Sequence, residues 1–489
     1  ALGAEPDVER LLQRLLDDAI ASSGASGGAL HRAEAITPEL MQPSADPCTL
    51  HLPLHSRDGG LQGVLELRFS LPPEPARVAF CSALSGAAAV ALETRSLIAA
   101  QKALFAAFIE VIAAAIDAKS PYTGGHCARV PELASMLAQA ACDASSGPYA
   151  SFQLSDNDWE ALHIGSWLHD CGKVTTPEYV VDKATKLETL CDRIHEVRMR
   201  FELLKSAAET EYWRAVAAGG DAESLRQQLE AEWAALDDDF AFVAACNRGG
   251  EAMAAADIER LQRIAGRRWR RSLDDRLGIS NDELRRCAEE PVQALPCWEP
   301  LLADRPRHRI PRPAAQHQPA AHGGGFTMVE PALIADRGEL RNLSIQRGTL
   351  TEEERYAINQ HIIQTIRMLE ALPYPPHLQA VPEIAGGHHE RMDGRGYPRS
   401  LRGDQMSPLA RMMAIADVFE ALTAVDRPYK SGKTLSASLA IMARMVEEQH
   451  LDAELFELFV RTGVYRRYGE RFLAADQIDA VDEEALLRR

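Results

Sequence analysis

Two adjacent histidines, His388 and His389, are followed by Glu390, Arg391 and Asp393 and then by a Gly396-Tyr397-Pro398 turn. Neutral imidazole is the commonest protein metal ligand. Adjacent imidazoles point in different directions, so the pair can serve two ions or two faces of one ion. Alone, such a pair reads as surface histidines beside a turn, but partners elsewhere in the chain change that reading. His169-Asp170 lies within Leu168–Lys173, with His169 and Lys173 four apart on one helical face. His361 ends a polar helical run that starts at Leu350-Thr351, and His126 follows Gly124-Gly125. Asp417 sits in the apolar segment Met413–Phe419, where a buried carboxylate needs a partner.

Together these motifs resemble the HD-GYP family, a branch of the HD-domain metal-dependent phosphohydrolases. The resemblance runs from about Asp117 to about Leu439 and is broken by one long insertion. His-Asp-x-Gly-Lys and His-His-Glu-x-x-Asp-Gly-x-Gly-Tyr-Pro occur in the family's order, followed by Asp426-Arg427-Pro428-Tyr429-Lys430. The resemblance implies a mainly α fold, an HD-type helical bundle. It implies hydrolysis of cyclic dimeric GMP to linear diguanylate, with GMP as the product of a second cut. The implied metal ligands are His126, His169, Asp170, His361, His388, His389 and Asp417. Such mixed nitrogen and oxygen ligation suits Fe, Mn, Zn or Co better than Mg or Ca. The set exceeds one tetrahedral ion; with Asp170 bridging, it suits two ions ~3.5–4 Å apart, Fe or Mn foremost. A hydroxide held between them would attack phosphorus in line with the leaving 3′-oxygen, and Lys173 would stabilise the phosphoryl charge. Tyr397, Arg427 and Lys430 match the family's substrate contacts, and Asp117, Lys119 and Arg129 match positions flanking the cleft.

His195 rivals His361, since it also follows a Lys-Leu-Glu run, but it lies three residues too close to Leu187 for the family spacing. It is expected to pack at the root of the insertion. Cys171 and Ser400 depart from the usual residues without removing a ligand. Relatives with three metals use a Glu one helical turn before the histidine matching His126. Here that position is Tyr122, whose phenol has a pKa near ~10 and is a poor ligand. Two metals are expected; Asp117 reaching a third site is the alternative.

Other stretches must carry these residues. Residues 1–95 open with a helical stripe (Val8, Leu11, Leu12, Leu15). A strand is expected from Gly27. Alternation in Thr49–Leu54 and Val64–Phe69 around Asp58-Gly59-Gly60 marks a hairpin. This small α/β unit resembles the second half of a GAF domain, either a small-molecule sensor or a spacer. Residues 82–119 read as a connecting helix of roughly 55 Å. Parallel pairing would make the protein a homodimer; packing on its own domain is the alternative. Residues 120–489 form the catalytic domain. Within it, 201–331 is an insertion: a helical hairpin whose seam includes Leu225, Leu229, Trp233, Leu236, Phe240 and Val243, then an irregular Pro/Gly-rich linker over 291–331. His308, His317 and His322 in that linker lack the geometry of ligands. His163 reads as a packed or surface histidine.

The chain carries 53 basic and 71 acidic residues, a net charge of −18. That balance disfavours a nucleic-acid polymer or a membrane surface as partner, so positive charge for a phosphodiester must be supplied locally. Nine cysteines without a Cys-x-x-Cys pair indicate reduced thiols and a cytoplasmic protein. Charges interrupt the most apolar stretch, so no membrane span is expected. Three functions fit: an active cyclic-dinucleotide phosphodiesterase, a regulatory module acting through partner contacts, or another di-metal phosphohydrolase. No ligand is lost, which disfavours the second, and the Gly-Tyr-Pro loop disfavours the third.

Overall fold

The computed structural model describes residues 6–57, 59–119, 125–250, 252–313, 325–425 and 432–488. Tyr122, Arg427, Lys430, His317 and His322 lie outside the described residues. The chain divides into two compact units, Ala1–Ile109 and Glu110–Arg489.

In the first unit α1 (Pro6–Ser23) is followed by a three-stranded antiparallel sheet. Its order is β1 (Gly27–Arg32), β3 (Leu61–Arg68), β2 (Thr49–His55). The expected hairpin is β2–β3, with Leu52 opposite Leu65 and Leu50 opposite Leu67. Leu52, Leu54, Leu65 and Leu67 pack with Ala19 of α1 and with Cys81, Ala88 and Ala89 of α2 (Pro75–Asp117). On the opposite face Glu66 pairs with His31 at 2.9 Å and Arg68 at 2.7 Å. This is the expected small α/β unit, and its three strands alone do not specify a GAF fold.

The expected connecting helix is the C-terminal part of α2, which runs for 43 residues. Val90, Leu97, Leu104 and Val111 are exposed at a spacing of seven, and Ile98, Phe105 and Ile112 repeat beside them. A seven-residue apolar repeat is the signature of a coiled-coil seam. One point corrects the composition argument: α2 contains an 18-residue stretch with at most two charged side chains, so by length and composition it can cross a membrane.

The second unit is helical. It opens with α3 (His126–Cys142), which starts after Gly125 at φ +85°, and α4 (Asp156–Leu168). Ser155 caps α4 in a reciprocal pair with Asp158. A 3₁₀ turn, Cys171–Thr175, and a short α5 (Glu178–Val181) follow. After the insertion come α11 (Glu352–Glu370), capped by Thr351 and Glu354, α12 (Val381–Gly386) and α13 (Pro408–Thr423), which has Ser407 as its cap and proline in its first position. The helices α3, α4, α11, α12 and α13 pack on one another. Four helices, α14 (Leu435–Glu447), α15 (Ala453–Arg461), α16 (Val464–Phe472) and α17 (Glu483–Leu487), complete the bundle.

The insertion has its own core. The helices α6 (Ile194–Ala217) and α7 (Ala222–Asn247) form the expected hairpin, joined by α8 (Ala255–Ala265), α9 (Asn281–Cys287) and α10 (Glu339–Leu343). Leu187, Val197, Phe201, Leu236, Val243, Leu261, Leu301 and Leu343 are among its buried residues, so the core reaches beyond residues 201–331 at both ends. The expected irregular linker contains short strands: β5 (Cys297–Pro300) pairs with β4 (Arg268–Arg271), and β6 (Arg309–Pro311) with β7 (Leu333–Asp336). The root is polar and buried: Lys183 pairs with Glu354 at 2.8 Å, and the Lys186 ammonium donates to the carbonyls of Leu343 and Ile345. His195 is exposed beside Arg198 rather than packed at this root.

Candidate metal centre

His169 and Asp170 lie at the C-terminal end of α4, where the chain turns into the 3₁₀ segment. Gly172 makes that turn possible: a Cβ there would collide with the carbonyl oxygen of His361 on α11. The Gly172 N–H donates to the Thr365 hydroxyl at 2.9 Å. Lys119 holds the far end of the turn, donating to the carbonyls of Lys173, Val174 and Thr176. Asp117 accepts from the Gly125 N–H at 3.1 Å, at the start of α3. Asp117 and Lys119 thus shape the turns that carry His126 and Asp170.

His388 and His389 follow α12, at a helix end that opens into the Gly-Tyr-Pro loop, as the sequence indicates. Glu390 is buried within that loop and accepts the N–H groups of Arg399 at 2.7 Å and Leu401 at 2.8 Å. Gly396 lies so close to Glu390 and Arg391 that a Cβ would collide with their backbone. Tyr397 stacks on His389, with ring centroids 4.8 Å apart and 23° between planes.

Six of the seven candidate ligands fall into two clusters, His126 with His169 and Asp170, and His361 with His388 and His389. Within each, one ligand atom per residue lies within 4.8 Å of the others. The seventh joins the first cluster: Asp417 Oδ1 is 3.3 Å from His126 Nε2 and 3.9 Å from His169 Nε2. Asp170 touches both clusters. Its Oδ2 is 3.3 Å from His126 Nε2 and 3.2 Å from His169 Nε2, and its Oδ1 is 3.2 Å from His361 Nε2. Lys173 Nζ closes on Asp170 Oδ2 at 2.6 Å. His163 packs near Trp167 and belongs to neither cluster.

The imidazoles are aimed from behind. His169 Nδ1 lies 2.7 Å from the Ser166 carbonyl, His361 Nδ1 2.6 Å from that of Ile358, and His388 Nδ1 2.6 Å from that of Ala385. A carbonyl only accepts, so each Nδ1 carries the proton and each Nε2 faces inward with its lone pair. His126 is aimed by a carboxylate, Glu420, at 2.5 Å from its Nδ1. Arg129 in turn holds Glu420 at 2.6 Å. Two buried polar atoms at the centre, His388 Nε2 and Asp170 Oδ1, have no hydrogen-bond partner. A buried acceptor left in that state is costly, and a cation satisfies it. The donor set therefore fits metal ions.

Electrostatics divide the clusters. Burial opposes charge on His126, but Asp170, Asp417 and Glu420 around it push its imidazole well above the usual range. Burial, with His169 beside it, pushes His388 down to about 4; burial with His388 and His361 holds His389 well below the ordinary value. Burial would raise Asp170, but Lys173 and His169 hold it well below the usual carboxylate range. One cluster is rich in anions, and in the other His388 and His389 are held neutral.

Glu420 was not among the sequence candidates. Its signal is its place three residues after Asp417 on the same helix face, the only other charged residue between Met412 and Thr423.

The helical bundle brings the two clusters together at one buried centre. Residues 296–455 match the HD domain family. That stretch holds His361, His388, His389 and Asp417, while His126, His169 and Asp170 lie upstream of it and reach the site through the fold. Over 132 residues the chain is 37% identical to 3′3′-cGAMP-specific phosphodiesterase 1 of Vibrio cholerae, covering 26% of this chain and 30% of that protein. Over 119 residues it is 39% identical to a cyclic di-GMP phosphodiesterase of Pseudomonas aeruginosa, covering 24% and 28%. Over 131 residues it is 36% identical to a cyclic di-GMP phosphodiesterase response regulator of Xanthomonas campestris, covering 25% and 34%. The chain thus spans about a third or less of the length of these relatives.

Proposed function

We propose that this protein is a metal-dependent phosphodiesterase that hydrolyses cyclic dimeric GMP, or a closely related cyclic dinucleotide, to its linear form, with GMP as the product of a second cut. The observation that carries this reading is the pair of inward-facing ligand clusters sharing Asp170 beside the Tyr397 loop. The names of the relatives supply the substrate class.

His126, His169, Asp170 and Asp417 would hold one ion and His361, His388, His389 and Asp170 a second, Fe or Mn in each. Bound transition metals supply Lewis acidity toward phosphoryl oxygens and lower the pKa of water toward neutrality. The protein's own groups do the rest. Asp170 is kept ionised by Lys173 and is oriented toward both clusters. The Lys173 ammonium, which Asp170 keeps protonated against burial, lies where it can offset phosphoryl charge. The Tyr397 ring forms a wall beside His389. Arg427 and Lys430, outside the described residues, are assigned to phosphate and guanine. The count of two ions rests on Tyr122, also outside them, and elemental analysis of anaerobically purified protein tests it: three metals per chain would refute it.

The heptad stripe on α2 supports a parallel homodimer in the cytoplasm, with the first unit as a small-molecule sensor or spacer. Sedimentation velocity tests the dimer; a monomer at micromolar concentration would refute it. The activity is tested by incubating metal-reconstituted full-length protein with cyclic dimeric GMP and with 3′3′-cGAMP and separating the products. Linear dinucleotide from either supports the reading, and failure to cut both with metals bound refutes it.

A further inference from the structure

At the end of the insertion the chain runs through residues 325–332 before β7, and this stretch docks on the Gly-Tyr-Pro loop. Phe326 is buried with Ile362, Ile363 and Ile366 of α11, the helix that carries His361. The guanidinium carbons of Arg367 and Arg399 lie over its ring at 5.7 and 5.3 Å. The Thr327 N–H donates to the Pro398 carbonyl at 2.7 Å. The Thr327 hydroxyl is 2.6 Å from the Ser400 hydroxyl, which lies 3.3 Å from the Gly396 carbonyl it donates to. Ser400 holds φ +55°, a left-handed conformation that an L residue keeps only when its surroundings fix it. At its downstream end the Pro331 carbonyl accepts from Arg312 at 3.2 Å, and the Arg312 guanidinium lies over Tyr356 of α11 at 5.4 Å. The arm is therefore fixed to α11 directly through Phe326, to the loop through Thr327, and at Pro331 to Arg312, which stacks on α11.

The same loop presents Tyr397 to His389, stacked and with its N–H donating to the His389 carbonyl at 3.2 Å. We propose that Phe326 and Thr327 are positioning residues that hold the Gly-Tyr-Pro loop, and through it Tyr397, in the conformation that binds substrate. The insertion thereby contributes a strut to the cleft. Ser400, a departure from the family pattern, is the strut's partner. Neither arm residue touches a ligand atom, so the effect falls on the loop and on substrate affinity rather than on the metals. The proposal rests on the reading that Tyr397 walls the substrate cleft.

The experiment compares full-length, metal-reconstituted wild type with Thr327→Val, Thr327→Ser and Phe326→Ala. Metal per chain is expected to stay at the wild-type value in all four. Amide exchange at Tyr397 and Arg399–Arg402 is expected to rise about tenfold in Thr327→Val and Phe326→Ala and to stay normal in Thr327→Ser, which keeps the hydroxyl. With cyclic dimeric GMP, KM is expected to rise about tenfold in the first two at nearly constant kcat. Unchanged exchange in Thr327→Val, or a Thr327→Ser protein as loose as Thr327→Val, overturns the proposal. If Phe326→Ala does not fold, the Thr327 pair decides. The exchange result stands whether or not the wild type cuts cyclic dinucleotides, so failure of the substrate reading and failure of the strut are told apart.

Discussion

Two largely buried polar clusters sit in the second unit, one in the insertion and one in the bundle. In the insertion Arg307 faces Asp275 at 2.8 Å and Glu290 at 2.7 Å, Arg271 faces Glu299 at 2.5 Å, and Arg305 pairs with Glu299. Each of these cations has its carboxylate. In the bundle, five imidazoles and two carboxylates converge, with the lone pairs of His169, His361 and His388 aimed inward, and among the described residues Lys173 is the ammonium paired with them. The first cluster closes on itself and holds a module together. The second leaves acceptors facing acceptors, an arrangement that becomes stable when cations enter it. Buried charge is thus a poor guide to function by itself; the sign of what remains unsatisfied is the better guide.

If that contrast is right, mutations in the two clusters separate cleanly. Asp170→Asn keeps the shape and removes the shared anion, so turnover should fall roughly a thousandfold or more, a cost of several kcal/mol, with the folded helical signal retained. Near-normal turnover of the purified variant would break the contrast at its centre. Glu420→Gln leaves every ligand in place but loosens the hold on His126; metal affinity should fall about 10–100-fold, read by competition with a chelator. In the other cluster, Glu290→Gln removes one of the two carboxylates that face Arg307 and should cost about 1 kcal/mol of stability in chemical denaturation, with metal content unchanged. A Glu290→Gln protein that loses its metals instead would show that the two clusters are coupled.

The smallest effect is one of pH. Burial raises Glu339, but Arg200, at 2.8 Å, holds it below its ordinary 4.5; Asp275 and Glu290 are lowered too, by Arg307 against burial. The unfolded chain takes up protons at the ordinary value, while the folded chain refuses them until lower pH. The contribution of these carboxylates is therefore full above about pH 5 and falls as pH drops through the folded values. Burial also lowers His308, which acts in the same direction. Four of the six tryptophans, Trp213, Trp233, Trp269 and Trp298, lie in this module, so acid titration of tryptophan fluorescence reads it. Stability that rises as pH falls from 6 to 4 would contradict the assignment.

Much of the bundle and the centre was legible because ligand chemistry is concentrated in few residue types. His169, Asp170, His388 and His389 advertise themselves at helix ends, and Asp417 does so by being a carboxylate on an apolar helix. His361 needed the family spacing as well, and the structure places it 3.2 Å from Asp170. Glu420 was missed because a glutamate near the end of a helix resembles a solvated residue until its burial is seen. Residues 325–331 were missed for another reason: a Pro/Gly-rich stretch has no periodicity, and its one aromatic, Phe326, says nothing of where it docks. The strands β4 to β7 are held by partners about thirty residues away, a distance at which local pattern carries no register.

Three of the five imidazoles carry their aiming device within their own turn of backbone, using the carbonyl three residues earlier. Each of these three candidate ligands thus arrives with its tautomer already chosen and owes nothing to a remote orienting side chain. Such a centre is modular along the chain. A segment as long as the one between Asp170 and His361 can be spliced between two ligands without disturbing how either of them points, provided the flanking helices meet again. The helical turn, rather than the motif as a whole, is then the unit that can be moved when such a site is interrupted, circularly permuted or grafted onto another bundle.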